Sequence, residues 1–216
     1  MGGIGVALFN MFYFRTIQMT TLSTASILLY TAPFMVMVIS ALLFKDRITL
    51  QKVCALLIAF TGCVMTIGFI DSEELSIIGI LSGLAAAFCF SQYTIFGKIA
   101  LHKYNPFTVT AYAFGAVAIL LAPFCDFGKM ITLMGESYVC AINLLTLGLF
   151  LTLIPFICYT KGLEKMEPSR AMIIAFVEPL TAAVAGVAAF GETLSPIKIS
   201  GMALIFLSLI ILSRSS

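Results

Sequence analysis

The chain has 216 residues, of which 61 % are hydrophobic and only 10 % charged, with a mean hydropathy of +1.12. Soluble domains carry about a quarter of charged residues, so this balance excludes them and assigns the chain to a lipid bilayer. A net charge of +2 from scattered lysines and arginines leaves no basic face for nucleic acid.

A hydrocarbon core about 30 Å thick needs about 20 helical residues, and helices are the only choice for long apolar runs without water to satisfy the backbone. Eight runs qualify, a short one near 2–15 and then 23–44, 51–70, 76–97, 105–125, 139–160, 170–190 and 196–213. The first lacks a positive leading segment and a small-residue cleavage site, so it is expected to remain in the membrane. It stops at Arg15, after fewer apolar residues than a span needs. Polar stretches separate the runs: "DSEE" (71–74), "HKYNP" (102–106), the 126–138 loop, "KGLEKMEPSR" (161–170) and "GETLSP" (191–196). Asn105-Pro106 and Ser195-Pro196 each read as an N-cap followed by a first-turn proline. Gly79 and Gly83 form a GxxxG pair that lets a neighbouring helix approach closely. Arg15 and Lys98 sit at helix ends, where their charges can snorkel to the interface. Cys54, Cys63, Cys89, Cys125, Cys140 and Cys158 have neither CxxC spacing nor histidine partners and read as packing or lipid-facing residues; no metal or other cofactor is expected.

Shifting the chain by 146 residues lays "TLSTASILLYTAPFMVMVISALLFKDRITLQK" (21–52) on "EPSRAMIIAFVEPLTAAVAGVAAFGETLSPIK" (167–198) without a gap. Ser23 falls on Ser169, Ala25 on Ala171, Ile27 on Ile173, Pro33 on Pro179, Phe44 on Phe190 and Lys52 on Lys198; Asp46 meets Glu192, and upstream Tyr13 meets Tyr159. The chain therefore reads as a partial first repeat of three helices (1–72) and a second repeat of five (73–216). A 146-residue period would begin the first repeat about 70 residues before Met1, room for two more helices, so a ten-helix parent is expected. Five helices per copy is odd, so tandem copies lie in the membrane with opposite orientation. Placing the 45–50 loop in the cytoplasm puts nine lysines and arginines inside, among them Lys45, Arg47, Lys98, Lys161, Arg170 and Arg214, and only Arg15, Lys129 and Lys198 outside. Inverted repeats of this kind are a signature of secondary transporters, with the site near the midplane where the copies meet.

The segments "LLYTAPFMVMVISALLFKDRIT" and "AFVEPLTAAVAGVAAFGETLS" are proline-bearing helices that end in an acidic residue and lead into another span. In this they resemble the two EamA-type domains of the drug/metabolite transporter superfamily, over nearly the whole chain. The resemblance implies an all-α membrane protein of a ten-helix, 5+5 inverted-repeat bundle, about eight of whose helices are present here. It also implies that the third and fourth helices of each copy line a central path, and that the chain ends lie in the cytoplasm.

Glu178 is the one clearly intramembrane acid. A carboxylate at mid-depth costs a few kcal/mol on insertion scales, so it is expected to face the bundle interior. The nearest cation on its helix is Arg170, eight residues and about 12 Å away. An acid so placed suits proton coupling or substrate contact; the plainer alternative is that it satisfies backbone groups around the break at Pro179. Pro33 and Pro179 are expected to kink their helices at matching positions. Tyr13, Tyr30, Gln92 and Tyr159, on helices that the resemblance assigns to the path, complete the expected substrate-path set with Glu178. Tyr93, Tyr112 and Asn143 read as packing or interhelical hydrogen-bonding groups.

The expected function is secondary transport, with export favoured, of a small organic solute such as an amino acid, metabolite or drug by alternating access. The expected setting is the plasma membrane, multi-pass, with a cytoplasmic C-terminus. The bilayer and the solute are the expected partners, and a homodimer is allowed. The alternative is an inactive fragment or membrane scaffold that needs a partner half. An intramembrane enzyme would require paired acids, a Ser-His pair or metal ligands within the spans, whereas the one histidine, His102, falls in a loop.

Overall fold

The computed structural model describes residues 1–68, 76–190 and 195–213. The acidic "DSEE" turn, Gly191 to Leu194 with Glu192, and Arg214 lie outside the described residues. Among the described residues the regular structure is all helical, without a strand. In chain order they are α1 (Gly2–Met19), α2 (Leu22–Leu29), α3 (Ala32–Phe44), α4 (Leu50–Ile67), α5 (Ile77–Leu101), α6 (Pro106–Leu121), α7 (Phe127–Glu136), α8 (Tyr138–Thr146), α9 (Ile154–Lys165), α10 (Pro168–Ile174), α11 (Val177–Phe190) and α12 (Pro196–Ser213). A 3-10 turn over Ala122–Phe124 extends α6, and a π-helical stretch over Leu147–Leu153 fuses α8 to α9.

Seven stretches are long and apolar enough to cross a membrane: Leu22–Phe44, Leu50–Ile67, Ile77–Leu101, Pro106–Phe124, Tyr138–Lys165, Pro168–Ala189 and Pro196–Ser213. They are the last seven of the eight runs. The first run is helical too, but the expected stop at Arg15 is corrected: α1 continues to Met19, because arginine is a good helix former and this one lies exposed. The 126–138 loop contains α7, capped by Asp126, whose side chain accepts from the Lys129 N–H. Both expected N-caps form, Asn105 Oδ1 accepting from Thr108 N–H at 2.8 Å and Ser195 Oγ from Lys198 N–H at 3.3 Å.

Without a hydrophobic force between helices in lipid, close packing relies on small residues. The two most extensive pairings, α4 with α12 and α1 with α5, show this. A Cβ on Gly62 would stand 2.6 Å from the Gly201 oxygen, and one on Gly5 would stand 2.8 Å from the Cys89 oxygen. The GxxxG pair behaves as expected: a Cβ on Gly79 would stand 2.6 Å from a Thr20 methyl and one on Gly83 2.5 Å from a Leu28 methyl. The main core, around Leu56, Cys63, Ile173, Phe176 and Ile205, lies where α4, α10 and α12 meet.

Candidate functional site

Two of the spans are broken. In Leu22–Phe44 the interruption falls at Tyr30 and Thr31, between α2 and α3; in Pro168–Ala189 it falls at Ala175 and Phe176, between α10 and α11. A shift of 146 carries Tyr30 onto Phe176 and Pro33 onto Pro179, so the breaks occupy equivalent places. The cause is local. Proline has no N–H for the carbonyl four residues back and crowds it sterically. The backbone closes instead through tighter three-residue bonds, Thr31 N–H to Leu28 O at 3.1 Å and Glu178 N–H to Ala175 O at 2.9 Å. The Thr31 hydroxyl also donates to Leu28 O, at 2.6 Å. Each proline thus lies in the first turn of the second half-helix, so the expected kinks are full breaks.

Tyr30 and Phe176, equivalent residues of the two halves, stack on each other with ring centroids 5.2 Å apart and planes 26° from parallel. Self-contact at an equivalent position is what a two-fold relation between the halves produces at its axis. A second pair of contacts obeys the same shift. The Tyr13 hydroxyl meets Ser26 Oγ at 3.3 Å, and the Tyr159 hydroxyl donates to Met172 Sδ at 3.1 Å; 159 − 13 and 172 − 26 are both 146.

Glu178 occupies the first turn of α11, where the helix N-terminus favours a negative charge. Its side chain is exposed among the described helices. The side chains of Tyr30 and buried Cys63 are the groups it interacts with, and Tyr13 lies within electrostatic range of Tyr30. The acid, the phenol and the stacked rings therefore form one group at the two breaks, which can hold a proton or a cationic or hydrogen-bonding solute.

The other two expected path residues lie elsewhere. Gln92 lies at the α1–α5 contact, where a Cβ on Gly5 would be 3.3 Å from its own Cβ, and its amide donates to Ser91 Oγ at 3.4 Å. Tyr159 belongs to a network linking α5, α6, α9 and α10: its hydroxyl meets Thr94 Oγ1 at 2.8 Å, the Tyr93 hydroxyl meets Thr160 Oγ1 at 2.8 Å, and Thr110 donates to Thr160 at 3.3 Å. Thr94, Thr110, Thr160 and Phe176 were not singled out from sequence, because a threonine or phenylalanine in an apolar run has no mark of the face it occupies. Snorkelling also proves too little for Lys98, whose ammonium donates to the carbonyls of Leu163, Glu164 and Met166 at 2.9, 3.2 and 2.9 Å.

Comparison with known proteins agrees with this architecture. The family profile described as the EamA-like transporter family matches residues 1–68 and 77–214. An uncharacterized transporter of Archaeoglobus fulgidus is 32 % identical over 217 residues, spanning 98 % of this chain and 76 % of that protein. The uncharacterized transporter YwfM of Bacillus subtilis is 26 % identical, over 100 % of this chain and 72 % of its own length. A solved crystal structure shares the fold with a TM-score of 0.80 at 20 % identity, covering 99 % of this chain and 74 % of that one. The chain spans about three quarters of the length of these relatives. It is a multi-pass integral membrane protein and belongs to the EamA-like transporter family.

Proposed function

We propose that the protein moves a small organic solute by alternating access between inverted repeats, coupled to protons through Glu178. The observation that carries this reading is the meeting of two broken helices, one from each half, with Tyr30 stacked on Phe176 and a carboxylate beside them. Broken helices in a bilayer are tolerated where they line a cavity or are covered by protein, and transporters build midplane sites from them. The repeats are residues 1–72 and 73–216, and Pro33 and Pro179 are their hinges. Tyr30 and Tyr13 accompany Glu178 at the site, while Tyr159 and Gln92 fix the helices around it. The lysine and arginine distribution favours a cytoplasmic 45–49 turn and C-terminus; the setting is taken as the plasma membrane and the direction as export.

One observation bears on a further requirement. The Tyr138–Lys165 span buries no residue of its apolar window, which leaves a face open to lipid, to a helix pair or to a second copy in the competent unit. The test is a pH-gradient-driven flux screen in proteoliposomes with a mixed pool of amino acids and small metabolites. Saturable flux of one solute class supports the reading, and flux that starts only when a two-helix hairpin is supplied supports the added requirement. A folded protein without flux in either form removes transport as its activity.

A further inference from the structure

Taking as given the reading above, in which the two halves move against each other, we infer that Lys52 and Glu167 form a clasp that closes one end of the bundle. Lys52 lies on α4 in the first half, its side chain only 5 % exposed, and its ammonium contacts the Glu167 carboxylate and donates to the Arg47 oxygen at 3.0 Å. Glu167 is 115 residues away in the second half, 42 % exposed, and directly precedes α10. Among the described residues this is the one ion pair joining distant parts of the chain; the other, Lys129 with Asp126, lies within one exposed turn.

The two turns that it joins are each fixed within their own half. Between α3 and α4, Lys45 adopts a left-handed conformation with φ 58°, and Asp46 accepts from buried Ser40. Between α9 and α10, Lys98 holds three carbonyls from Leu163 to Met166. With both turns rigid, separating Lys52 from Glu167 separates the halves at that end. Glu167 also lines a cleft of about 530 Å³ with Asp46, Lys98, His102 and Arg170, so water can reach the carboxylate when the contact parts.

The equivalent place at the opposite end has no matching acid. The 146-residue shift carries Glu167 onto Thr21, whose hydroxyl is engaged within its own helix, accepting from Thr24 N–H at 3.1 Å and donating to Thr24 Oγ1 at 3.0 Å. The Lys52–Glu167 contact biases the conformational equilibrium toward closure at its own end.

The test reads accessibility rather than flux. In a cysteine-free background, Ser169→Cys places a thiol two residues from Glu167, at a buried hydroxyl that has no hydrogen-bond partner to lose. Labelling by a membrane-impermeant maleimide is timed on inverted and right-side-out vesicles. Glu167→Gln should raise the rate from the clasp side about fivefold, as losing about 1 kcal/mol from a half-exposed pair requires, while Glu167→Asp, which keeps the charge, should label like the parent. Equal rates for all three, or equal acceleration by Gln and Asp, would overturn the clasp. Solute flux in the same vesicles separates the two ideas: the predicted labelling pattern without any flux upholds the clasp and defeats the transport reading.

Discussion

Helix α1 and the Leu147–Lys165 segment stand 146 residues apart and make equivalent contacts, Tyr13 to Ser26 and Tyr159 to Met172, but their surroundings differ. The first has α5 and α6 laid along it and buries Gly3, Gly5, Val6, Ala7 and Thr16; the second buries only Thr160 and Leu163, near its end, and nothing from Leu147 to Leu153. A helix in a bilayer owes its existence to its own hydrogen bonds and its burial to its neighbours. Both equivalent helices therefore form, but the bare stretch Leu147–Leu153 is π-helical where its covered counterpart at the start of α1 is α-helical. The broken spans differ in another way: they share backbone geometry, while one carries Ala32 where the other carries Glu178. Symmetry extends to the break in the helix and stops at the side chain beside it.

Substitutions at matched places test how far the equivalence of the two halves reaches. The largest expected effect is at the stacked pair. Phe176 is fully buried and Tyr30 only partly, so Phe176→Ala should lower unfolding stability in mixed micelles by about 3 kcal/mol. If Tyr30→Ala cost more, the pair would not be centred as described. Next comes the contrast between Gly5 and its equivalent, Leu151. Gly5→Ala drives a methyl against the Cys89 oxygen and should cost about 2 kcal/mol. A smaller loss, about 1 kcal/mol, is expected for Tyr30→Phe, which keeps the stack and removes the hydroxyl facing Glu178; a loss in the double variant Glu178→Gln/Tyr30→Phe equal to the sum of the two single losses would show that the two groups act independently. Leu151→Ala, on the bare face, should change stability by less than about 0.5 kcal/mol. A larger cost there, in bilayers but not in micelles, would reveal an occupant of that face.

Much of this was legible in the sequence because it rests on residues with strong backbone consequences. Pro33 and Pro179 fixed the breaks, Asn105 and Ser195 the helix starts, and Gly79 and Gly83 a close crossing. Prolines shared at a constant offset also carried the repeat, since neither can be absorbed silently into a helix interior. The π-helical Leu147–Leu153 left no trace, because a uniformly apolar run has no phase from which an extra residue per turn can be read. Helix α7 was hidden within a connection whose polar residues looked like loop. The threonine network around Tyr93 and Tyr159 and the Lys52–Glu167 contact depend on residues brought together across 50 to 115 positions. Glu167, beside Pro168 at a helix start, looked like an ordinary loop charge until its partner was in view.

The claim that Glu178 supplies the coupling chemistry of an otherwise symmetric pair of hinges is tested most directly by two assays on one protein. Once a transported solute is known, Glu178→Gln proteoliposomes are compared with the parent for pH-driven accumulation and for solute exchange without a gradient. The account predicts that exchange survives, since the breaks and the Tyr30–Phe176 stack remain, while accumulation driven by the pH gradient is lost. Accumulation that persists at the parental level in Glu178→Gln would contradict it and return the carboxylate to a structural place beside Pro179.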